Sequence, residues 1–148
     1  MTMVIIGGGA TGVELSGSFA DLTRTVLNHD FRHINPAQAR IILIDRGPRV
    51  LAHLSPKLSA SAQRQLERLG VQVRCATAVK NIRAGEVELG TGEIIRAGNI
   101  VWAAGVSASH LIKKLGVELD KGGRVKVKPD LSLPGHSNVF GVFSSASG

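Results

Sequence analysis

The sequence predicts an α/β fold: a Rossmann-like, three-layer nucleotide-binding domain whose parallel sheet carries helices on one face and an antiparallel β-meander on the other. Three observations lead there. Short unbroken apolar runs alternate with segments of helical period through the first half of the chain. A glycine-rich turn joins the first run to the first helix, in MVIIGGGATGVE at residues 3–14. After Thr77 the pattern changes to short alternating segments separated by tight-turn sequences.

Residues 4–6 are apolar without interruption and end in glycine, as expected of a strand buried on both faces. Over residues 13–27, Leu15, Phe19, Leu22 and Val26 recur at helical spacing and form one apolar stripe. A looser stretch, NHDFRHINPAQ, precedes a second apolar run at 41–44 that ends in Asp45. Ser55 and Pro56 start a second helix, the serine oxygen capping a free amide and proline taking the first helical position, where no hydrogen bond is lost. Leu58, Ala62, Leu66 and Leu69 mark its buried face, and Gly70 closes it. Val71, Val73 and Cys75 begin a third strand, so the order strand, helix, strand, helix, strand gives a parallel sheet through right-handed crossovers.

The segments AVKNI, EVEL and EIIRA then read as an antiparallel meander turning at Ala84-Gly85 and at Gly90-Thr91-Gly92. Residues 100–104 form another buried run closed by Gly105, and LIKKLG, from Leu111, reads as one short helix. These elements divide the chain into a domain at 1–110 and a C-terminal extension at 111–148.

The whole chain has 148 residues with 43% apolar content, enough for one ordinary domain with a core. Its single cysteine, Cys75, excludes an internal disulfide and a Cys-x-x-Cys redox pair, which favours a reducing, cytoplasmic compartment. Six of the eighteen basic residues fall at 113–128 and contribute to a formal charge of +7. They alternate with Glu118, Asp120, Val125 and Val127 rather than with aromatics, so a solvated face is read there and no nucleic acid is expected. No apolar run approaches the roughly 18 residues of a membrane span. No Ser-centred nucleophile elbow or phosphate-binding lysine loop is present in the sequence. His29 and His33 share a helical spacing but lack a third ligand nearby, so they read as loop histidines, with no metal expected. Cys75 and Trp102 read as packing residues.

Gly7, Gly9 and Gly12 fit G-x-G-x-x-G between a strand and a helix, with an acid at the end of the next strand. Each glycine has a physical task. Gly7 permits the sharp turn, Gly9 leaves the pyrophosphate unobstructed, and Gly12 lets helix and strand approach. Free amides at the helix start, from the run Gly7, Gly8, Gly9, Ala10, Thr11 and Gly12, would face the phosphates with the helix dipole behind them. Asp45 would accept hydrogen bonds from the adenine ribose and repel a 2′-phosphate, favouring NADH over NADPH, a preference tempered by Arg46 and Arg49. Asp45 lies 33 positions beyond Gly12, where about 20 are usual, and the loop at 28–40 absorbs the excess.

The blocks GGGATGVELSG, IDRGPRVL, SPKLSASAQRQLERLGVQV, IVWAAGV and GRVKVKPDLSLPGHSNVF together resemble the NADH-binding half of type II NADH dehydrogenases, in the pyridine-nucleotide-disulfide oxidoreductase superfamily. That resemblance covers nearly the whole chain. It implies an NADH domain inserted within an FAD domain, with a hydride passing from NADH to flavin and on to a quinone at the membrane. It implies that the glycine turn meets the pyrophosphate, that Asp45 meets the ribose, that Glu14 lies close to the nicotinamide, and that Ala104 and Gly105 flank the nicotinamide half. Glu14 is alternatively a first-turn acid favoured by the helix dipole. Val79 borders adenine or, by the simpler reading, belongs to the core.

Two departures from the family pattern shape the expectation. The family's separate FAD-binding glycine motif is absent from the sequence, and Phe143-Ser144 stand where the family has a flavin-binding Gly-Asp. The expectation is a fragment of a flavin enzyme that binds NADH but neither FAD nor a membrane, and that completes no electron-transfer cycle alone. Without its FAD domain, the tail bearing Val139, Phe140 and Val142 should self-associate into a homodimer, fold back on the sheet or be mobile. Another flavoprotein disulfide- or ferredoxin-reductase-like enzyme, or a non-catalytic binding module, is the alternative.

Overall fold

The computed structural model describes residues 1–25, 39–105, 110–120, 123–141 and 146–147. They fall into two compact units, Met1–Ala104 and Gly105–Gly148. In chain order the first unit contains β1 (Thr2–Ile6), α1 (Ala10–Thr25), β2 (Arg40–Ile44), α2 (Pro56–Arg68), β3 (Val71–Arg74), β4 (Val79–Arg83), β5 (Glu86–Leu89), β6 (Ile94–Arg96) and β7 (Asn99–Trp102). β3, β2, β1 and β7 form one parallel sheet in that order, and β4, β5 and β6 form a separate antiparallel one. This is the three-layer α/β architecture that the sequence predicts.

Strand alternation explains the layers. Side chains along a strand point alternately to opposite faces. Met3 and Ile5 of β1, with Ile41 and Leu43 of β2, pack with Ala20 and Leu66 of the helices. Val4, Ile6, Ile42 and Ile44 pack with Val87, Leu89, Ile95 and Ala97 on the meander side. Val4, Ile5, Ile42, Leu43 and Ile44 are completely buried, each such side chain stabilising the fold by about 1.5–3 kcal/mol. An uninterrupted apolar strand is therefore required here, since both of its faces are interior.

α1 sits one step away from its expected face, and α2 departs from its own only at the first position, where Ser59 replaces Leu58. α1 buries Gly12, Ser16 and Ala20, with Val13, Leu15 and Phe19 half-buried, while Leu22 is 41% exposed; Val26 lies outside the described residues. Small residues four apart let this helix approach the sheet, and the Ser16 hydroxyl satisfies itself on the Gly12 carbonyl at 2.7 Å. α2 is capped as expected: the Ser55 oxygen accepts from the Leu58 amide, Pro56 opens the helix, and Gly70 follows at φ +84°. Its interior line runs through Ser59, Ala62, Leu66 and Leu69. Ser59 donates to the Val50 carbonyl at 2.6 Å and takes the inward position, which turns Leu58 out to 56% exposure.

The second unit holds a 3-10 helix (His110–Leu115) where LIKKLG predicts a helix. It also holds β8 (Val125–Lys126), β9 (Ser132–Leu133), β10 (His136–Phe140) and β11 (Ala146–Ser147). β9 pairs antiparallel with β10 and β8 parallel with β11, around a small cluster of Ile112, Val125 and Leu133. Val139 and Phe140 are exposed, and Val142 lies outside the described residues. Lys113, Lys114, Arg124, Lys126 and Lys128 are solvated; Arg124 pairs with Asp120 and Lys126 with Glu118. Among the described residues no helix is long and apolar enough to cross a membrane.

Candidate functional site

The site is built where β1 hands over to α1. Gly7 leaves the strand at φ +117°, and a Cβ there would lie 2.7 Å from the backbone of Ala103 and Ala104. Two demands thus exclude a side chain: the turn itself and the close passage of the chain leaving β7. A Cβ on Gly12 would lie 1.8 Å from the Gly7 carbonyl oxygen, so this glycine lets the helix start directly against the strand end. Gly9 differs, since among the described residues a Cβ there would meet nothing within 4 Å. Gly9, Ala10 and Thr11 are exposed, and the first helical bond runs from the Val13 amide to the Gly9 carbonyl at 3.0 Å. The amides of Ala10, Thr11 and Gly12 consequently precede the hydrogen-bond ladder, at the end of α1 that carries about half a positive charge.

Asp45 follows β2 and faces this turn, because β1 and β2 run in parallel register from Thr2↔Arg40 to Ile6↔Ile44. Its Oδ2 accepts from the Gly8 amide and its Oδ1 from the Gly47 amide, each at 2.5 Å. Hydrogen bonds to an ionised group contribute about 1.5–3 kcal/mol each. The Gly8 carbonyl in turn accepts from the Leu51 amide at 2.7 Å, with Leu51 at φ 49°. The loop after β2 is itself anchored, with Thr77 donating to the Asp45 carbonyl and Ala76 to the Gly47 carbonyl.

The remaining expected site residues divide. Arg46 is exposed. Arg49 is drawn into its own loop, its Nη2 donating to the carbonyls of Ala52 at 2.9 Å and Leu54 at 3.4 Å. Glu14 is exposed on α1, but the helix begins at Ala10 and has no acid in its first turn, so the reading of Glu14 as a first-turn acid is corrected. Val79 pairs with Leu89 and packs against the meander-side core, as does Ala104. Gly105 opens the second unit at φ +81°. Trp102, expected in the core, is 61% exposed on the edge strand, with its indole N–H donating to the Ala104 carbonyl at 2.6 Å. Cys75 is half-buried, and burial, then the charge of Asp45, pushes its thiol pKa up. His29, His33, Phe143 and Ser144 lie outside the described residues.

Sequence reasoning missed Gly47 and Leu51. The Asp45-x-Gly47 spacing was the available signal, since a Cβ at Gly47 would lie 2.8 Å from Asp45 Oδ1. Leu51 left no signal, because its left-handed backbone is imposed by tertiary contacts.

A parallel sheet covered by helices and a meander, with a glycine turn and an acid at adjacent strand ends, defines a Rossmann-like α/β domain. Residues 1–144 match the pyridine nucleotide-disulphide oxidoreductase family, to which the chain belongs. Two curated relatives from Mycobacterium tuberculosis (strain ATCC 25618 / H37Rv) are type II NADH:quinone oxidoreductases. Ndh is 41% identical over 99% of this chain and 34% of its own length. NdhA is 44% identical over 96% of this chain and 32% of its own length. The chain therefore spans about a third of the length of these relatives. A solved structure of NDH2 from Plasmodium falciparum in complex with NADH shares the fold, with a TM-score of 0.85, 19% identity, and coverage of 98% of this chain and 31% of that one.

Proposed function

We propose that the first unit binds NADH as the dinucleotide domain of a flavin-dependent NADH dehydrogenase of the NADH:quinone oxidoreductase type. The observation that carries this is the open face at Gly9, where among the described residues no neighbouring atom beyond its own chain neighbours lies within 4 Å of a Cβ position, beside amides that precede the α1 ladder. An anion fits such a position by both hydrogen bonding and helix dipole. Similarity to the two mycobacterial enzymes supports the choice of NADH.

In this reading Gly9, Ala10, Thr11 and Gly12 hold the pyrophosphate. Asp45 has acceptor capacity left after Gly8 and Gly47, because a carboxylate offers about four lone-pair sites. Those sites receive the adenine ribose hydroxyls, and the negative charge disfavours a 2′-phosphate. With Arg49 tied to its own loop, Arg46 is the cation left to temper that preference. Glu14 and Ala104 border the nicotinamide half. Hydride transfer is chemistry that nicotinamide and its acceptor supply, while these residues orient the cofactor. The positions matching the family's flavin contacts, Phe143 and Ser144, carry neither its glycine nor its aspartate, so no FAD site is assigned to this chain. The apolar side chains exposed on the second unit favour self-association, and the lone Cys75 favours a reducing compartment.

Calorimetric titration with NADH and NADPH, beside an absorbance scan of the purified chain, tests the proposal. NADH should bind at least about tenfold more tightly, a difference of about 1.4 kcal/mol, and the protein should be colourless. Preferential NADPH binding contradicts the role of Asp45. A stoichiometric flavin spectrum contradicts the absence of a flavin site.

A further inference from the structure

We propose that Asp45 is a positioning residue that sets the shape of the glycine turn before any ligand arrives, so that removing its carboxylate weakens NADH and NADPH binding alike instead of exchanging one for the other. This rests on the dinucleotide reading above and adds a ligand-independent task to the same side chain.

Two consecutive peptide planes set the shape of the turn. A trans peptide is flat, so its N–H and C=O point in opposite directions and fixing one aims the other. The Gly7–Gly8 plane is fixed by the Gly8 amide on Asp45 Oδ2, at 2.5 Å. That aims the Gly7 carbonyl toward α1, where it lies 1.8 Å from the Cβ position of Gly12. The Gly8–Gly9 plane is fixed by the Leu51 amide on the Gly8 carbonyl, at 2.7 Å. That aims the Gly9 amide away from the loop. Both anchors come from the chain following β2, and Asp45 Oδ1 ties that loop to itself through the Gly47 amide at 2.5 Å. The glycine turn is thus clamped from outside.

The clamp also explains two glycines that the motif leaves unexplained. A Cβ on Gly8 would lie 3.0 Å from the Asp45 Cβ, and one on Gly47 would lie 2.8 Å from Asp45 Oδ1. A side chain at Gly47 would make the carboxylate shift, and one at Gly8 would press tightly on the Asp45 side chain. If Asp45 served only the ribose, its neutral replacement would remove the repulsion of a 2′-phosphate, leave Arg46 beside it, and raise NADPH affinity.

The test uses the full chain as wild type, Asp45→Ser, Asp45→Asn and Gly47→Ala. NADH and NADPH are titrated into each, and the exchange of the Gly8 and Gly47 amides is followed by NMR without ligand. Both amides should be protected in the wild type. In Asp45→Ser their exchange should accelerate about a hundredfold, and the affinities for both NADH and NADPH should fall at least about tenfold. Asp45→Asn, keeping one acceptor, should be intermediate. Gly47→Ala keeps the charge and should still weaken NADH about fivefold or more. A rise or no change in NADPH affinity in Asp45→Ser overturns the proposal, as do unprotected wild-type Gly8 and Gly47 amides. If the wild type binds neither dinucleotide, the function proposed above fails, and the exchange measurement alone decides the clamp. If Asp45→Ser does not fold, wild-type protection and the Gly47→Ala titration decide it.

Discussion

Gly12 and Gly92 make opposite arguments for glycine. At Gly12 the obstacle is space, a backbone oxygen 1.8 Å from the Cβ position; at Gly92 nothing among the described residues lies within 4 Å and the obstacle is φ +89°. Gly12→Ala should lower unfolding free energy by about 3 kcal/mol or more, the upper range of overpacking, and Gly92→Ala by about 1 kcal/mol. Urea denaturation of the two variants checks this, and equal losses would contradict the close approach at Gly12. Cys75 gives a pH-dependent case. Burial, reinforced by Asp45, raises its pKa in the folded state, so its contribution to stability is complete below the unfolded thiol's pKa and is lost as pH rises through the folded value. Alkylation by iodoacetamide at pH 8 should accordingly be slower in the native protein than in urea; a faster native reaction would refute the shift.

The helices and strands show what patterning can and cannot convey. The strand β1, the Ser55-Pro56 start and the Gly70 stop were legible because each signals a local backbone requirement. The choice between Leu58 and Ser59 as the inward residue was not, since it turns on a hydrogen bond to Val50, nine positions away in sequence. The same holds for α1, where the large side chains advertise a stripe but Gly12, Ser16 and Ala20 make the close contact. Leu66→Ala should therefore cost about 2–5 kcal/mol, and Leu58→Ala less than about 0.5 kcal/mol. Thermal melts of both variants distinguish this packing from the stripe read off the sequence. At the site, the motif glycines and Asp45 were legible from order and spacing. The contact of Asp45 with Gly8 and Gly47 was not, because it depends on how the loop after β2 folds back.

For the whole molecule, the three layers follow from the double-sided burial of β1 and β2, while β8, β9 and β11 of the second unit have two residues each, too few to leave a period in the sequence. Leu111, Leu115, Leu131 and Phe140 are each about half-exposed or more on that unit, and such apolar surface favours association. Sedimentation velocity should show a concentration-dependent dimer that Leu131→Ser with Phe140→Ser weakens; a strict monomer at high concentration would contradict this. The central claim is a pyrophosphate held by amides around Gly9, and Gly9→Val tests it most directly because, among the described residues, the added side chain meets no neighbour within 4 Å of its Cβ. Calorimetry should find NADH affinity reduced at least about thirtyfold, about 2 kcal/mol, at an unchanged melting temperature. Undiminished NADH binding by a folded Gly9→Val protein would contradict the account.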